Sequence, residues 1–243
     1  MEKINDMNIY NKRMAAGMAD KLFFLDEVRD IDTIVDFGCA NGELLRLMPD
    51  TVNKIGVDNN PDMISAAKKN YPEAKYVSSL KDVHFNGTTL LNLSSVIHEV
   101  YSYLPEEEIN AFWDSVFNSG YNYIAIRDMM VSNITNRPWD EDGANKAAKH
   151  PLFADFHASF PLTRERDLIH FLLKYRYVEN WDRESKENYF PITLEELKAL
   201  IPENYEIVYE NHYALEWTKN KAYEDIGYEI KDNTHIKLIL KLK

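Results

Sequence analysis

Short apolar runs alternate with longer amphipathic segments along the first half of the chain. The runs are almost wholly apolar, as in strands buried on both faces, and apolar residues recur at helical spacing between them. Helices are predicted over residues 8–28, from Gly42, over 60–70 and from Pro105, and strands over 33–37, 54–58, 75–77, 88–93 and 121–127. This alternation predicts a parallel sheet with right-handed crossover connections.

The pattern changes after Asp128. Residues 130–190 contain no clear strand and are rich in proline and aromatic residues. A structureless loop of that length is uncommon, and Thr163 is predicted to cap a helix with Leu168 and Leu172 on one face. We therefore expect a largely helical insertion over residues 130–190, lying as a lid over the carboxyl edge of a core made of residues 1–129 and 191–243.

The regular pattern returns after the insertion. Thr193 and Glu196 have capping-box spacing, which predicts a helix that stops by Pro202. Two β-rich runs follow, 206–217 and 235–242, and no strong helix signal separates them, so we predict an antiparallel pair. The chain is expected to form a doubly wound α/β domain with a mostly parallel seven-stranded sheet, in the order 3-2-1-4-5-7-6, whose last strand is antiparallel.

Composition narrows the class of protein. The 243 residues are 45% hydrophobic and 28% charged, a balance typical of globular domains. No apolar run approaches the roughly 18–20 residues that a bilayer span needs, and the polar opening shows no secretory signal. The single cysteine, Cys39, allows neither an intrachain disulfide nor a cysteine-based zinc cluster, and no metal site is predicted. A cytoplasmic enzyme is expected.

The charge balance argues against non-specific binding to nucleic acid. The chain has 28 Lys and Arg against 40 Asp and Glu, a net charge of −12, which repels phosphates. Duplex DNA and membranes are therefore not expected partners. Residues 143–186 differ from the rest, since they hold eight Lys or Arg and six Asp or Glu. An RNA acceptor that binds this segment stays open beside a small-molecule acceptor.

A glycine-bearing turn joins the first predicted strand to its helix. In Asp36-Phe37-Gly38-Cys39-Ala40-Asn41-Gly42, the glycines let the backbone turn sharply and approach a ligand. The N–H groups of the next helix face an anionic group. Asp58 ends the second strand about 20 residues later, where a carboxylate binds both hydroxyls of a ribose. Together these features indicate a ligand of the adenosine type.

Details of the turn select among such ligands. A dinucleotide fingerprint needs the spacing G-x-G-x-x-G, which is absent here because Ala40 stands at the middle position. Asp36, two residues before the turn, would repel a pyrophosphate but suits a ligand that carries an amino group. Both residues argue against a nicotinamide oxidoreductase.

The sequence here resembles the class I S-adenosylmethionine-dependent methyltransferases, over roughly residues 30–130 and 190–243. Their first motif is an acid before a Gly-x-Gly-x-Gly-like turn, and their second is an acid at the end of the next strand. The matching residues are Asp36, Gly38, Ala40, Gly42 and Asp58, with one glycine replaced. The closing β-rich pair is also similar to the end of their seven-stranded sheet.

The resemblance implies S-adenosyl-L-methionine as the cofactor and assigns residues to its parts. The turn backbone around Gly38, Cys39 and Ala40 faces the methionine moiety, and Asp58 holds the ribose. The methyl group projects where the fourth strand ends, beside Ser94. The other implied residues are Asn59 and Met63 beside the adenine, and Ser79 and Leu80 along its edge. Tyr10 and Arg13 are further candidates that would close over the cofactor, and the alternative is that their helix packs on the sheet.

The predicted reaction is methyl transfer to an oxygen or nitrogen of a small or medium-sized acceptor. Displacement on a sulfonium mainly requires alignment and exclusion of water, and some acceptors also need a base. His98, Glu99 and Asp128 follow strands at the carboxyl edge of the sheet, where ligands bind. His98 and Asp128 are the candidate catalytic residues. In the alternative interpretation, His98 and Glu99 cap or pack the helix that they begin, and Asp128 caps the segment that follows it.

The insertion supplies candidates for acceptor binding. Residues 174–183 mix aromatic rings with guanidinium groups, which clamp planar or anionic molecules. In the alternative interpretation these aromatics form the insertion's own core. The candidate acceptor residues are His157, Arg164, Arg176, Tyr177 and Trp181.

Two alternative functions stay open, an RNA methyltransferase that uses the insertion and a non-catalytic subunit that binds the cofactor for a partner. Amino-directed DNA methyltransferases carry an Asn/Asp-Pro-Pro-aromatic motif where the fourth strand ends, and residues 92–95 lack it. This argues against exocyclic base amines as acceptors. Cys39 lies in the cofactor turn, which argues against a cysteine attack on a pyrimidine ring.

Overall fold

The computed structural model describes residues 17–160 and 163–243, which form a seven-stranded sheet with helices around it. The strands are β1 (Thr33–Phe37), β2 (Asn53–Val57), β3 (Lys75–Val77), β4 (Thr89–Ser94), β5 (Tyr123–Met129), β6 (Tyr205–Tyr213) and β7 (His235–Leu242). Their order is β3-β2-β1-β4-β5-β7-β6. β1 to β5 are parallel, and β7 is antiparallel to β5 and β6. The predicted topology is confirmed.

Helices connect the strands and fill the insertion. Those before β5 are α1 (Met18–Lys21), α2 (Phe24–Glu27), α3 (Glu43–Arg46), α4 (Pro61–Asn70), α5 (Ile97–Tyr103) and α6 (Glu106–Asn118). Those after β5 are α7 (Glu141–Ala147), α8 (Phe153–Ser159), α9 (Glu165–Lys174), α10 (Trp181–Glu184), α11 (Leu194–Leu200) and α12 (Glu216–Ile226). In the described ranges, no helix has the length and apolarity to cross a membrane.

Alternate residues of β4 separate the two apolar layers of the core. Leu91 and Leu93 pack in one cluster with Trp113 of α6, whereas Leu90 packs in another with Phe24 of α2. All three leucines are fully buried, as expected of a strand with helices on both faces. The doubly wound arrangement is therefore confirmed.

The helix predicted after Thr163 begins one residue later than such a cap implies. Arg164 is the N-cap of α9, and its backbone N–H donates to the carboxylate of Asp167 at 2.9 Å. The predicted cap at Thr163 is therefore wrong, because Asp167 in the first helical turn binds the backbone N–H of Arg164 and makes Arg164 the N-cap. The capping box of Thr193 and Glu196 on α11 is confirmed.

Two other predicted elements differ from the structure. The single helix over residues 8–28 lies partly outside the described residues, and its described part divides into α1 and α2. The segment between β6 and β7 holds α12, so the run predicted as a strand to residue 217 ends at Tyr213. Trp217 and Tyr223 of α12 are exposed. α12 therefore shows little of the apolar periodicity by which a helix is predicted from a sequence.

The insertion between β5 and β6 has an apolar core of its own. Phe156, Phe171 and Tyr175 lie at its centre, and the cluster extends to Ala222 and Ile230 from the segment after β6. The insertion therefore packs against α12, and its aromatic residues form a core, as in the alternative interpretation.

Candidate active site

The turn between β1 and α3 has left-handed backbone at three positions. The φ angle is +75° at Gly38, +45° at Ala40 and +79° at Gly42. A Cβ at Gly38 would come within 2.9 Å of Cγ2 of Val96, and a Cβ at Gly42 within 2.9 Å of the hydroxyl of Tyr76. Glycine is therefore required at both positions, whereas Ala40 adopts a strained conformation.

Asp58 connects this turn to the end of β2. Its Oδ2 accepts a hydrogen bond from the backbone N–H of Ala40 at 2.9 Å, and its Oδ1 accepts one from the N–H of Asn60 at 2.8 Å. Burial raises the pKa of Asp58, and both backbone hydrogen bonds counteract that rise. The carboxylate therefore shapes the turn, while each oxygen keeps a lone pair for a ligand.

A cavity of about 640 Å³ opens beside Asp58 at the carboxyl end of β2. Its lining residues are Asp58, Asn59, Pro61, Ile64, Ser65, Lys68, Tyr76, Val77, Ser78 and Asp82. Met63, Ser79 and Leu80 are not among them. Leu80 is buried in the apolar core, and the hydroxyl of Ser79 accepts a hydrogen bond from the N–H of Lys81. Of the residues that the resemblance places at the ribose and the adenine, Asp58 and Asn59 therefore line the cavity, and Met63, Ser79 and Leu80 do not.

Asp36 and Asn92 form a buried polar pair where β1 and β4 lie side by side. The Nδ2 of Asn92 donates to Oδ1 of Asp36 at 2.7 Å. Burial raises the pKa of Asp36 to about 6, against the opposing effect of this hydrogen bond. The Oδ1 of Asn92 and the hydroxyl of Ser94 are buried and have no hydrogen-bond partner among residues 17–160 and 163–243. The end of β4 therefore presents polar atoms that a ligand would satisfy.

Asp20, which no sequence motif indicates, holds α1 against three strands. Its Oδ2 accepts hydrogen bonds from Nε of Arg127 at 2.8 Å and from the hydroxyl of Tyr213 at 2.6 Å. Its Oδ1 lies 2.6 Å from Nζ of Lys237. Because these partners belong to β5, β6 and β7, the position of α1 beside the sheet is fixed.

Lys21, the next residue of α1, is a second site residue that sequence reading missed. It is buried and interacts electrostatically with Asp36, Asp128 and Glu99. Burial and the positive charge of Arg127 lower the pKa of Lys21 to about 8. Lys21 is therefore a buried cation that interacts both with the carboxylate expected at the cofactor and with those expected at the acceptor.

His98 and Asp128 meet where β4 and β5 end. The Nδ1 of His98 lies 2.8 Å from Oδ1 of Asp128, and both residues are buried. The Oδ2 of Asp128 accepts hydrogen bonds from the N–H groups of Val96 at 3.0 Å and Ile97 at 2.7 Å. Asp128 therefore caps α5, a helix that precedes it in the chain, and holds His98 at the same time.

Each member of this pair stabilises the charge of the other. Burial lowers the pKa of His98, but the charge and hydrogen bond of Asp128, together with Glu99 and Glu187, outweigh burial and raise it. Burial raises the pKa of Asp128, but the charge and hydrogen bond of His98 outweigh burial and lower it. The pair therefore favours an imidazolium beside a carboxylate.

The five acceptor candidates have different surroundings. His157 stacks on Phe153, with 5.9 Å between the ring centres, and Trp181 belongs to the apolar cluster of the insertion. The guanidinium of Arg176 lies over the ring of Trp217, 4.2 Å from its centre. These three residues therefore serve packing within the insertion and against α12.

Arg164 and Tyr177 lie elsewhere in the insertion. Arg164 lines a separate cavity of about 380 Å³ together with Arg166 and His170. The backbone N–H of Tyr177 donates to the carbonyl of Lys174 at 2.8 Å, in the turn after α9.

Three cofactor candidates remain. Cys39 is buried in the turn, where burial and the charge of Asp36 raise the pKa of its thiol. Its Sγ packs so closely that a Cβ at Gly56 would come within 2.7 Å of it. Tyr10 and Arg13 lie outside the described residues.

Comparison with known proteins gives matches in structure alone. No family model and no curated protein matches the sequence. A SAM dependent methyltransferase from Archaeoglobus fulgidus is 17% identical, with a TM-score of 0.54, and the match covers 97% of this chain and 100% of that chain. The plantazolicin methyltransferase BamL is 14% identical, with a TM-score of 0.47 and coverage of 88% of this chain and 78% of that chain. A TehB-like SAM-dependent methyltransferase from Corynebacterium glutamicum is 14% identical, with a TM-score of 0.45 and coverage of 97% of both chains. The first of these matches and the sheet order together show that the chain has the fold of the class I S-adenosylmethionine-dependent methyltransferases.

Proposed function

We propose that the protein transfers a methyl group from S-adenosyl-L-methionine to an oxygen or nitrogen of a small or medium-sized acceptor. The observation that carries this proposal is the left-handed turn from Gly38 to Gly42, which is held by Asp58, a residue that also lines the 640 Å³ cavity. The fold supports it, because ligands of open α/β sheets bind at the carboxyl ends of the strands.

The polar atoms at the ends of β1 and β4 fit the amino-acid part of this cofactor. The carboxylate of Asp36 suits an ammonium group, and the unsatisfied oxygens of Asn92 and Ser94 suit further hydrogen-bond donors or acceptors. Asp58 and Asn59 line the cavity that would take the nucleoside. The bound cofactor supplies an electrophilic methyl group on a sulfonium.

The acceptor side of the site would be formed by α5 and the end of β5. Asp128 orients His98 through Nδ1, which leaves Nε2 as the atom that holds or exchanges a proton. Burial of both residues excludes water from the pair, and exclusion of water strengthens every electrostatic interaction in such a site.

A small molecule is a better acceptor than RNA, because three cations of the insertion are engaged in contacts within the protein. Arg183 donates to Glu99 and Glu187, each at 2.6 Å. Nζ of Lys174 donates to backbone carbonyls, and Arg176 lies over Trp217. These charges are therefore not arranged as a surface for phosphates, and the net charge of −12 opposes RNA as well.

Isothermal titration calorimetry with S-adenosylhomocysteine tests the proposed function. We expect a one-to-one complex with a micromolar Kd, and no heat with NAD, which serves as the control nucleotide. Absence of heat up to high micromolar S-adenosylhomocysteine would overturn the proposal. Binding of NAD alone would reassign the site to dinucleotide chemistry.

A further inference from the structure

His98 lies between two buried carboxylates, one on each side of its ring. Nδ1 is 2.8 Å from Oδ1 of Asp128, and Nε2 is 4.0 Å from Oε2 of Glu187. Asp128 belongs to β5, whereas Glu187 belongs to the insertion. The side chains of all three residues are almost completely buried. Two distant parts of the chain therefore supply the acids that face one imidazole.

Glu187 is held so that one particular oxygen faces His98. Its Oε1 accepts hydrogen bonds from Nε of Arg183 at 2.6 Å and from the hydroxyl of Tyr103 at 2.9 Å. Its backbone carbonyl accepts a hydrogen bond from Nζ of Lys174. These contacts occupy Oε1 and fix the backbone, so Oε2 is the oxygen that faces Nε2 of His98.

The surrounding contacts seat this part of the insertion on α5. Nη2 of Arg183 donates to Oε1 of Glu99 at 2.6 Å. The backbone N–H of Asn188 donates to the hydroxyl of Ser102 at 2.9 Å. The ring of Tyr189 meets the His98 ring edge-on, with 5.2 Å between their centres. The position of Glu187 therefore follows from several independent bonds to the helix that carries His98.

The charge balance around His98 favours a proton on its ring. The titratable groups that face it are Asp128 from β5, Glu99 from its own helix, Glu187 and Tyr189 from the insertion, and His170 from α9. Three of these five groups are carboxylic acids. Burial lowers the pKa of His98, and the acids outweigh burial and raise it.

We propose that Glu187 is a positioning residue for His98, and that it shares with Asp128 the task of holding the imidazole in place with a proton on each nitrogen. The insertion thus completes the charge environment of a histidine that the core supplies. The use of this histidine in methyl transfer rests on the proposed function. The proton balance itself is measurable without any cofactor.

Nuclear magnetic resonance of the full chain with labelled histidine tests this proposal. The signal of His98 is identified by its loss in His98→Gln. In Glu187→Gln we expect the titration midpoint of His98 to fall by about one pH unit, since one of the flanking negative charges is removed. Glu141→Gln, which changes an exposed acid in the first turn of α7, is the matched control and leaves the midpoint unchanged.

The outcomes separate this inference from the proposed function. An unchanged His98 midpoint in folded Glu187→Gln overturns the positioning role, whatever calorimetry shows for S-adenosylhomocysteine. If Glu187→Gln does not fold, Glu187→Asp decides, because it keeps the charge and withdraws it by one methylene. A lower midpoint in Glu187→Asp supports the role, and a midpoint equal to that of the natural chain overturns it.

Discussion

Asp58 accepts a hydrogen bond from the backbone N–H of Ala40, with 2.9 Å between the nitrogen and Oδ2. The end of β2 therefore determines the shape of the turn that follows β1. The acid at this position, which the family resemblance relates to a ribose, also holds the left-handed backbone on which the methionine moiety would lie. One side chain thus affects both ends of the proposed ligand.

Replacement of this acid tests both effects. We expect Asp58→Ala to weaken binding of S-adenosylhomocysteine at least tenfold, or about 1.4 kcal/mol, because the variant loses the proposed hydroxyl contacts and the bond to Ala40. Calorimetry at pH 7 measures the change, and Asp114→Ala on the exposed face of α6 is the control. Unchanged affinity in Asp58→Ala would remove the ribose assignment.

A comparison of Gly38 with Gly120 measures the steric cost of a side chain in the turn. Their φ angles are +75° and +77°, but a Cβ at Gly38 would come within 2.9 Å of Val96, whereas no described residue lies within 4 Å of a Cβ at Gly120. We expect Gly38→Ala to lower the free energy of unfolding by about 2 kcal/mol more than Gly120→Ala does. Urea denaturation measures both, and equal losses would show that the contact with Val96 relaxes freely.

Asp36 should make the folded state less stable as the pH rises. Burial raises its pKa to about 6, from the ordinary value of 3.8. Between these values the folded protein binds a proton that the unfolded chain has released, so the free energy of unfolding decreases with rising pH in this window.

Substitution of Asp36 by asparagine tests this dependence. We expect Asp36→Asn to raise the free energy of unfolding at pH 7 by about 2 kcal/mol and to weaken binding of S-adenosylhomocysteine. The stability gain should shrink as the pH is lowered towards 4. Urea denaturation from pH 4 to 8 measures it, with Asp114→Asn as the control. A gain that does not vary with pH would contradict the titration of Asp36.

Asp20 should make the folded state more stable as the pH rises. Burial opposes its ionisation, but hydrogen bonds from Lys237, Tyr213 and Arg127 outweigh burial and lower its pKa to about 2. The stabilisation is therefore complete well above the ordinary value of 3.8 and disappears as the pH falls towards 2.

The corresponding variant is Asp20→Asn. At pH 7 we expect a loss of about 2 kcal/mol in the free energy of unfolding, and a smaller loss at pH 3. Tyr213→Phe removes one of the hydrogen bonds to Asp20 and should cost less than Asp20→Asn. Equal stability of Asp20→Asn and the natural chain at pH 7 would show that α1 is not anchored through this carboxylate.

Local patterns in the sequence were sufficient for the sheet and for the turn. The turn glycines and the apolar run of β4 carry their structural meaning in a few adjacent residues, so their prediction needs no knowledge of distant contacts. The same is true of the capping box at Thr193. α12 escaped prediction because Trp217 and Tyr223 face solvent, which leaves no continuous apolar stripe along the helix.

The contacts that complete the candidate site join residues far apart in the chain. Glu187 faces His98 only because the insertion folds back onto α5, and no spacing in the sequence signals that approach. Lys21 and Asp20 lie in a segment whose apolar periodicity predicts the burial of Met18. That periodicity does not predict that the charged residue Lys21 is buried and that Asp20 is partly buried. Long-range electrostatic contacts of this kind depend on the assembled fold.

Cys39 is the single cysteine of the sequence, so its buried thiol is a site-specific probe of the turn. A maleimide or disulfide reagent reacts with the thiolate form of an accessible thiol. Burial within the turn makes the Cys39 thiol inaccessible and raises its pKa, so it suppresses the thiolate form as well. The rate of labelling therefore reports how often the segment from Gly38 to Gly42 opens. A ligand that binds to this segment would therefore protect Cys39 from modification.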